Sequence, residues 1–222
     1  MFEEVVDKIR LNIEEGIKLG RIQKYDPLLF PQWRKGNEIV TRNELAYELG
    51  KQNSALLFLW GNVENKIYIS TSSDGSLALV VICDILWEEG LDKYECFKVM
   101  RNSFYSISLA GVTIRSLPSQ LRIWLRVGKL ANAEGFNLGI FGRAIQETMN
   151  SIKFVKATDV IILTSKEEIS SLNDVFFRAK KITDALIKMH EEKLLNCDEC
   201  DYKDVCTEIP ELKMIREKIK KL

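Results

Sequence analysis

Ala55-Leu-Leu-Phe-Leu-Trp60 is six apolar residues in a row, ending at Gly61-Asn62. A run that short cannot be a helix of ordinary length, and a run without polar alternation needs cover on both faces, so it reads as a strand inside a layered protein. Leu77 to Trp87 repeats the pattern with a β-branched centre, Val80-Val81-Ile82. Its length admits a helix, but that centre favours a buried strand, at least over its first half. Val160 to Leu163 is a third buried strand, and Lys66 to Ser70 alternates and is expected to pair with residues 55–60. Leu121 to Val127 alternates strictly: Leu121, Ile123, Leu125 and Val127 share one face, and Arg122, Trp124 and Arg126 share the other.

Helical spacing fills the intervals. Phe2, Val5, Val6, Ile9, Ile13 and Ile17 form one stripe that ends near Gly20, and Phe97, Met100, Phe104 and Ile107 form a second within residues 91–109. Asn137 is placed to cap a helix over 138–151. Two capping-box patterns, Thr41-Arg-Asn-Glu44 and Ser165-Lys-Glu-Glu168, predict a helix running to Gly50 and a long one through Ile169, Leu172, Phe176, Ala179, Leu186 and His190. Residues 24–37, with Pro27, Pro31 and Gly36 among Leu28, Leu29, Phe30 and Trp33, read as an irregular but packed connection. The expected fold is α/β: a layered mixed sheet with flanking helices over residues 1–195, then a cysteine-rich turn and terminal helix over 196–222.

The chain has 222 residues, with 32 Lys and Arg against 32 Asp and Glu. That balance argues against a broad basic surface, so nucleic acid and anionic membrane are not expected partners. No apolar stretch approaches the ~20 residues needed to cross a bilayer. Glu3 and Glu4 stand where a secretory signal carries positive charge, and a cytoplasmic location is expected. Nucleotide-binding, zinc-protease and serine-hydrolase motifs do not occur, and a single histidine limits acid–base chemistry.

Two features carry chemistry. Cys197-x2-Cys200-x5-Cys206 sets three thiols at spacings that let a turn grip one ion or a cluster, either iron–sulfur or zinc. The fourth ligand would be His190, Cys83, Cys96, a water or substrate, or a group from another chain. His190 is nearest in sequence, but its stripe position equally describes a packed side chain, and the apolar neighbours of Cys83 and Cys96 describe small buried hydrophobes. The second feature is basic: Arg115, Arg122, Arg126, Lys129 and Arg143 face one acid, Glu134, between residues 115 and 143. Arg122, Trp124 and Arg126 could hold a phosphate-bearing ligand, with a solvated strand face as the plainer account.

The order of these pieces resembles the middle region of the acetyl-CoA synthase β subunit of the carbon monoxide dehydrogenase complex. The matching stretches are Ser108-Leu-Ala-Gly111, Ile123-Trp-Leu-Arg-Val-Gly128, Ala133-Glu-Gly-Phe136 and Val160-Ile-Ile-Leu-Thr164, with a fainter one at Glu44-Leu-Ala-Tyr-Glu-Leu-Gly50. The resemblance implies an iron–sulfur cluster on Cys197, Cys200 and Cys206, coenzyme A docking near Arg122, Trp124 and Arg126, and carbon monoxide dehydrogenase or corrinoid protein components as partners. The second cysteine gap is shorter than the family's, and no Cys-Gly-Cys follows to carry the distal nickel. The expectation is therefore an accessory or partner-binding role, without full acetyl-CoA synthase activity. The alternatives are a zinc- or iron–sulfur-stapled interaction module, and a RecB-like iron–sulfur nuclease. The nuclease would need an Asp and a Glu-x-Lys on adjacent strands, and the matches present, Glu191-Glu-Lys193 and Glu211-Leu-Lys213, fall in helical sequence.

Overall fold

A computed structural model of the protein describes residues 1–36, 39–117, 121–191 and 200–219. The chain opens with α1 (Glu3–Lys18), followed by β1 (Ile22–Tyr25), a 3₁₀ turn over Pro27–Leu29, a second over Arg42–Glu44, β2 (Leu45–Leu49), β3 (Ser54–Trp60), β4 (Ile67–Ser70) and β5 (Leu77–Ile85). Next come α2 (Lys93–Tyr105), β6 (Val112–Leu117), β7 (Arg122–Gly128), α3 (Lys129–Ala133), α4 (Leu138–Asn150) and β8 (Val155–Leu163). The last helices are α5 (Lys166–Ser171), α6 (Asn173–Glu191), α7 (Lys203–Glu208) and α8 (Pro210–Ile219). The layered α/β reading is correct, and among the described residues no helix is long and apolar enough to cross a membrane.

The apolar runs become the middle of a five-stranded mixed sheet, ordered β1-β4-β8-β5-β3. β8 and β5 are antiparallel, while β5–β3 and β8–β4 run parallel. Helices cover this sheet, so Leu57, Leu59, Leu79, Val81, Val160 and Ile162 are all buried whichever way they point, as continuous apolar strands require. Each such side chain contributes about 1.5–3 kcal/mol by leaving water. α4 packs on β8 and β4; its N-terminus is fixed by Asn137, whose carboxamide oxygen accepts the amide hydrogens of Gly139 (2.9 Å) and Ile140 (3.2 Å).

The second sheet has three antiparallel strands, β2-β7-β6. It meets the first where the Leu56 amide donates to the Leu121 carbonyl (2.8 Å) and at Gly50. Gly50 has φ +80°, and a Cβ there would sit 2.3 Å from the Ile123 carbonyl oxygen, so the chain can turn from β2 towards β3 only with glycine at this point.

Four sequence expectations are corrected here. The segment from Leu45 to Gly50 is not a helix: Thr41 makes no capping bond, and β2 pairs instead with β7, because the three-stranded sheet offers a full ladder where the isolated box offers one turn. Lys66 to Ser70 does form a strand, but between β1 and β8 rather than beside β3. In the connection after β1, Phe30 and Trp33 pack on the core, whereas Leu28 and Leu29 are exposed. The long helix predicted from Ser165 is broken at Leu172 into α5 and α6, and its cap comes from a loop: Asp74 Oδ2 accepts the Lys166 amide hydrogen (2.8 Å) while Ser165 makes no capping bond.

Candidate functional site

Strand alternation sets one side of the site. The register of β6 against β7 places Arg115 across from Trp124, Leu117 across from Arg122, and Thr113 across from Arg126, with all six on the face away from the buried Ile123 and Leu125. Beside them lies a groove of about 800 Å³, bounded by Ile114–Leu117 of β6, Arg122–Trp124 of β7, the last turn of α2 with Phe104, Tyr105 and nearby Ile107, and Gly50, Lys51 and Ser54. Phe104, Ile107, Ile114 and Ile123 supply an apolar surface, while Lys51, Arg115 and Arg122 supply positive charge, and among the described residues no Asp or Glu lines the groove.

These cations differ in freedom. Lys51 pairs with Glu48 (3.1 Å), and Arg122 Nη2 donates to the Lys51 carbonyl (3.1 Å). Arg115 forms no ion pair with any described residue; its guanidinium carbon lies 5.6 Å from the centre of the Trp124 ring, and that of Arg126 lies 5.3 Å from the same ring. Trp124 therefore serves as a rail that orders two guanidinium groups rather than as an open stacking face. Two buried polar atoms on groove-lining residues, Ser54 Oγ and Trp124 Nε1, have no hydrogen-bond partner among the described residues. A buried donor left unpaired costs about 1–3 kcal/mol, so such atoms mark a surface that a ligand's acceptors can complete.

Of the predicted trio, Arg122 and Trp124 line the groove and Arg126 does not. Arg126 lies opposite Glu48 in the β2–β7 register, 3.8 Å from its carboxylate, and borders a smaller hollow of about 270 Å³ with Thr113, Ile39 and Val40. Its expected role passes to Arg115, which the sequence places in the basic cluster but not on the alternating face. Arg143 leaves the cluster altogether: it sits on α4, bonded to Glu147 (2.8 Å) and to the Phe30 carbonyl. On the groove's other wall Phe104 belongs to the stripe the sequence shows, but Tyr105 has no sequence signal, because helical periodicity shows only the face α2 buries.

The cysteine turn is placed in part. Cys197 lies outside the described residues. Cys200 is half-buried and its carbonyl accepts the Lys203 amide hydrogen (3.1 Å), while Cys206, on α7, is buried against the same core as Val205 and Leu212. His190 stacks on Tyr94 with ring centres 4.6 Å apart and planes 8° apart, and its Nε2 lies 3.9 Å from Asp92 Oδ2. Among the described residues, no three His, Cys, Asp or Glu side chains gather as a metal site would need. Cys83 and Cys96 are packed hydrophobes, with thiols pushed by burial up to about 12 and about 11, and both stay protonated at neutral pH. Of the two nuclease-type acids, Glu191 accepts from the Tyr94 hydroxyl (2.9 Å) and Glu211 from the Met1 α-amino group (2.5 Å), and both are helical.

No known protein-family model matches the chain, and comparison with curated proteins finds no similar one.

Proposed function

We propose that the chain is a ligand-binding accessory protein whose groove takes an anionic, phosphate-bearing molecule of the coenzyme A class. What carries the reading is the pairing of two features in one cavity: the Arg115 guanidinium ordered on Trp124 with no ion-pair partner among the described residues, and two buried polar atoms without partners among them. Arg115 and Arg122 would hold phosphate oxygens, Trp124 Nε1 and Ser54 Oγ would complete the polar contacts, and Phe104, Ile107 and Ile123 would cover the ligand's apolar part. The resemblance to the acetyl-CoA synthase β subunit supports the same ligand class. It also supports an iron–sulfur cluster, or zinc in its place, on the Cys197–Cys206 turn, and carbon monoxide dehydrogenase or corrinoid proteins as partners.

Titration calorimetry with coenzyme A tests the reading. Binding should be saturable, should weaken as salt rises, and should lose about 1.5–3 kcal/mol in Arg122→Ala. No saturable binding, or binding indifferent to Arg122, removes the proposal. Metal analysis after anaerobic purification tests the tail in parallel, with Cys200→Ser expected to lower the metal content.

A further inference from the structure

A second cavity, of about 330 Å³, lies between α1 and the five-stranded sheet. Arg10 and Glu14 of α1, Lys24 of β1, Asn62, Glu64, Tyr68 of β4 and Asp159 of β8 give it its polar groups, and isoleucines with Val63 give it its walls. The registers explain the grouping. Lys24 is opposite Tyr68, Tyr68 is beside Ile161, and Ile82 is opposite Asp159, which puts these residues on one face of the sheet.

Asp159 is the anomaly. It stands in the central strand, only 7% exposed, among Thr158, Val160 and Ile161, which are all buried. Its Oδ1 accepts the amide hydrogens of Lys66 (2.8 Å) and Glu64 (3.3 Å), closing the turn before β4. Asparagine would accept the same two hydrogens without bringing a charge into the core, so the turn explains the oxygen but not the acid. No described cation comes within ion-pair distance of it: Lys24 is drawn to Glu64 (3.4 Å) and Arg10 to Asp7 (3.8 Å). Burial pushes its carboxyl above the ordinary range in spite of the two amide donors and the more distant Arg10 and Lys24. The fold thus keeps, at a cost to its own stability, a buried acid beside a cavity of ligand size.

We propose that this cavity binds a small organic ammonium ion, held by the Asp159 carboxylate with the Tyr68 hydroxyl as a further acceptor. Burial and the nearby Asp159 charge raise the Tyr68 phenol against the lowering effect of Lys24, which bonds to the same oxygen, so it remains a neutral hydroxyl with a further lone pair to offer. Ile13, Ile82 and Ile161 suit a short alkyl body. A divalent metal is the poorer fit, because it takes six or more oxygens and no three acidic or imidazole side chains converge here among the described residues. The other charged residues that line the cavity, Arg10 and Lys24 with Glu14 and Glu64, balance in sign, so the charge that selects the guest is the buried one.

The experiment titrates the full chain with butylamine, putrescine and agmatine, with butanol as the uncharged isostere and magnesium chloride as the metal control. Isotope-edited NMR follows the Asp159 carboxyl carbon. At least one amine should bind saturably and shift that resonance, and butanol and magnesium should not. Asp159→Asn keeps the turn's acceptor and should weaken the amine roughly 10- to 100-fold, the loss of one charge-assisted hydrogen bond. Its melting temperature should equal or exceed that of the unsubstituted protein. Ile17→Trp, at the rim of the cavity and away from its polar groups, should exclude the same amine. The proposal falls if no amine binds saturably, if butanol or magnesium binds as well, if Asp159→Asn leaves amine affinity unchanged, or if that variant melts lower, since the acid would then serve the fold.

Discussion

The two sheets of this protein spend their side chains differently. In the five-stranded sheet, β3, β5 and β8 are apolar on both faces, and helices hide them. In the three-stranded sheet, β7 buries Ile123, Leu125 and Val127 but turns Arg122, Trp124 and Arg126 outward, with Arg115 alongside. The second has a polar outer face beside an open groove, with Trp124 Nε1 and Arg126 Nε buried there without a hydrogen-bond partner among the described residues, whereas the cavity on the first lies under α1. The first sheet should therefore govern stability and the second should govern binding of the phosphate-bearing ligand, each nearly indifferent to the other's substitutions.

The hardest test of that division is Leu79→Ala. Leu79 is fully buried in β5, opposite Ile162 of β8 and beside Leu56 of β3, so its truncation removes apolar contact and leaves a cavity that packed neighbours on both faces cannot close. Urea unfolding should show a loss of about 2–5 kcal/mol. A loss under about 1 kcal/mol would mean that the central strands are loosely packed, and the contrast between the sheets would disappear.

The same contrast decides what the sequence made legible. A strand covered on both faces announces itself as a run, and β3, β5 and β8 were readable for that reason, as was α4 from Asn137. β2 was misread because Thr41 to Glu44 has the local chemistry of a helix start, and what overrides it, the ladder to β7, is 80 residues away in sequence. β6 gave no clear signal: its Val112, Ile114 and Ser116 face one way, but Ser116 breaks the apolar series. For the site, alternation disclosed Arg122 and Trp124. It could not disclose that Glu48 on another strand draws Arg126 aside, or that Tyr105 supplies the facing wall. Asp159 drew no reading from the sequence, because it stands just before the run Val160 to Leu163 and nothing local separates a turn-closing acid from a ligand-binding one.

Acid sharpens the comparison with a smaller effect. Burial raises the carboxyls of Asp159 and Glu168, which belong to the large sheet and its covering. Below their folded values the native state binds more protons than the unfolded chain, so these groups favour the fold as pH falls towards the ordinary carboxylate range. The groups that fasten the C-terminal helices behave oppositely. Asp204 is lowered by its bond to Lys181 (2.8 Å), and Glu211 is lowered although burial is the largest single influence and raises it, because the bond to the Met1 α-amino group, a backbone amide and the charges of Met1 and Lys93 together outweigh burial. Their contribution is present above the ordinary range and is lost as pH falls through their depressed values. Hydrogen exchange, corrected for its intrinsic pH dependence, should show α7 and α8 losing protection below about pH 4 while β5 and β8 keep theirs. Simultaneous loss in both regions would show that the tail and the sheet open as one unit.

The smallest stability effect is expected where the largest binding effect lies, at Trp124. Replacement by phenylalanine removes the buried indole N–H that has no partner, a gain that opposes the loss of ring area and of some guanidinium attraction from Arg115 and Arg126. The opposed terms are each about 1 kcal/mol, so Trp124→Phe should unfold within about 1 kcal/mol of the unsubstituted protein. Binding has no such compensation. A ligand acceptor that met Nε1 loses its donor, and the two guanidinium groups lose the wider ring that orders them, so coenzyme A affinity should fall by roughly tenfold or more. A variant that is destabilised like a core truncation would place Trp124 among the residues that hold the sheet together, whereas one that is stable and binds undiminished would leave the orphaned indole nitrogen without a role in the groove.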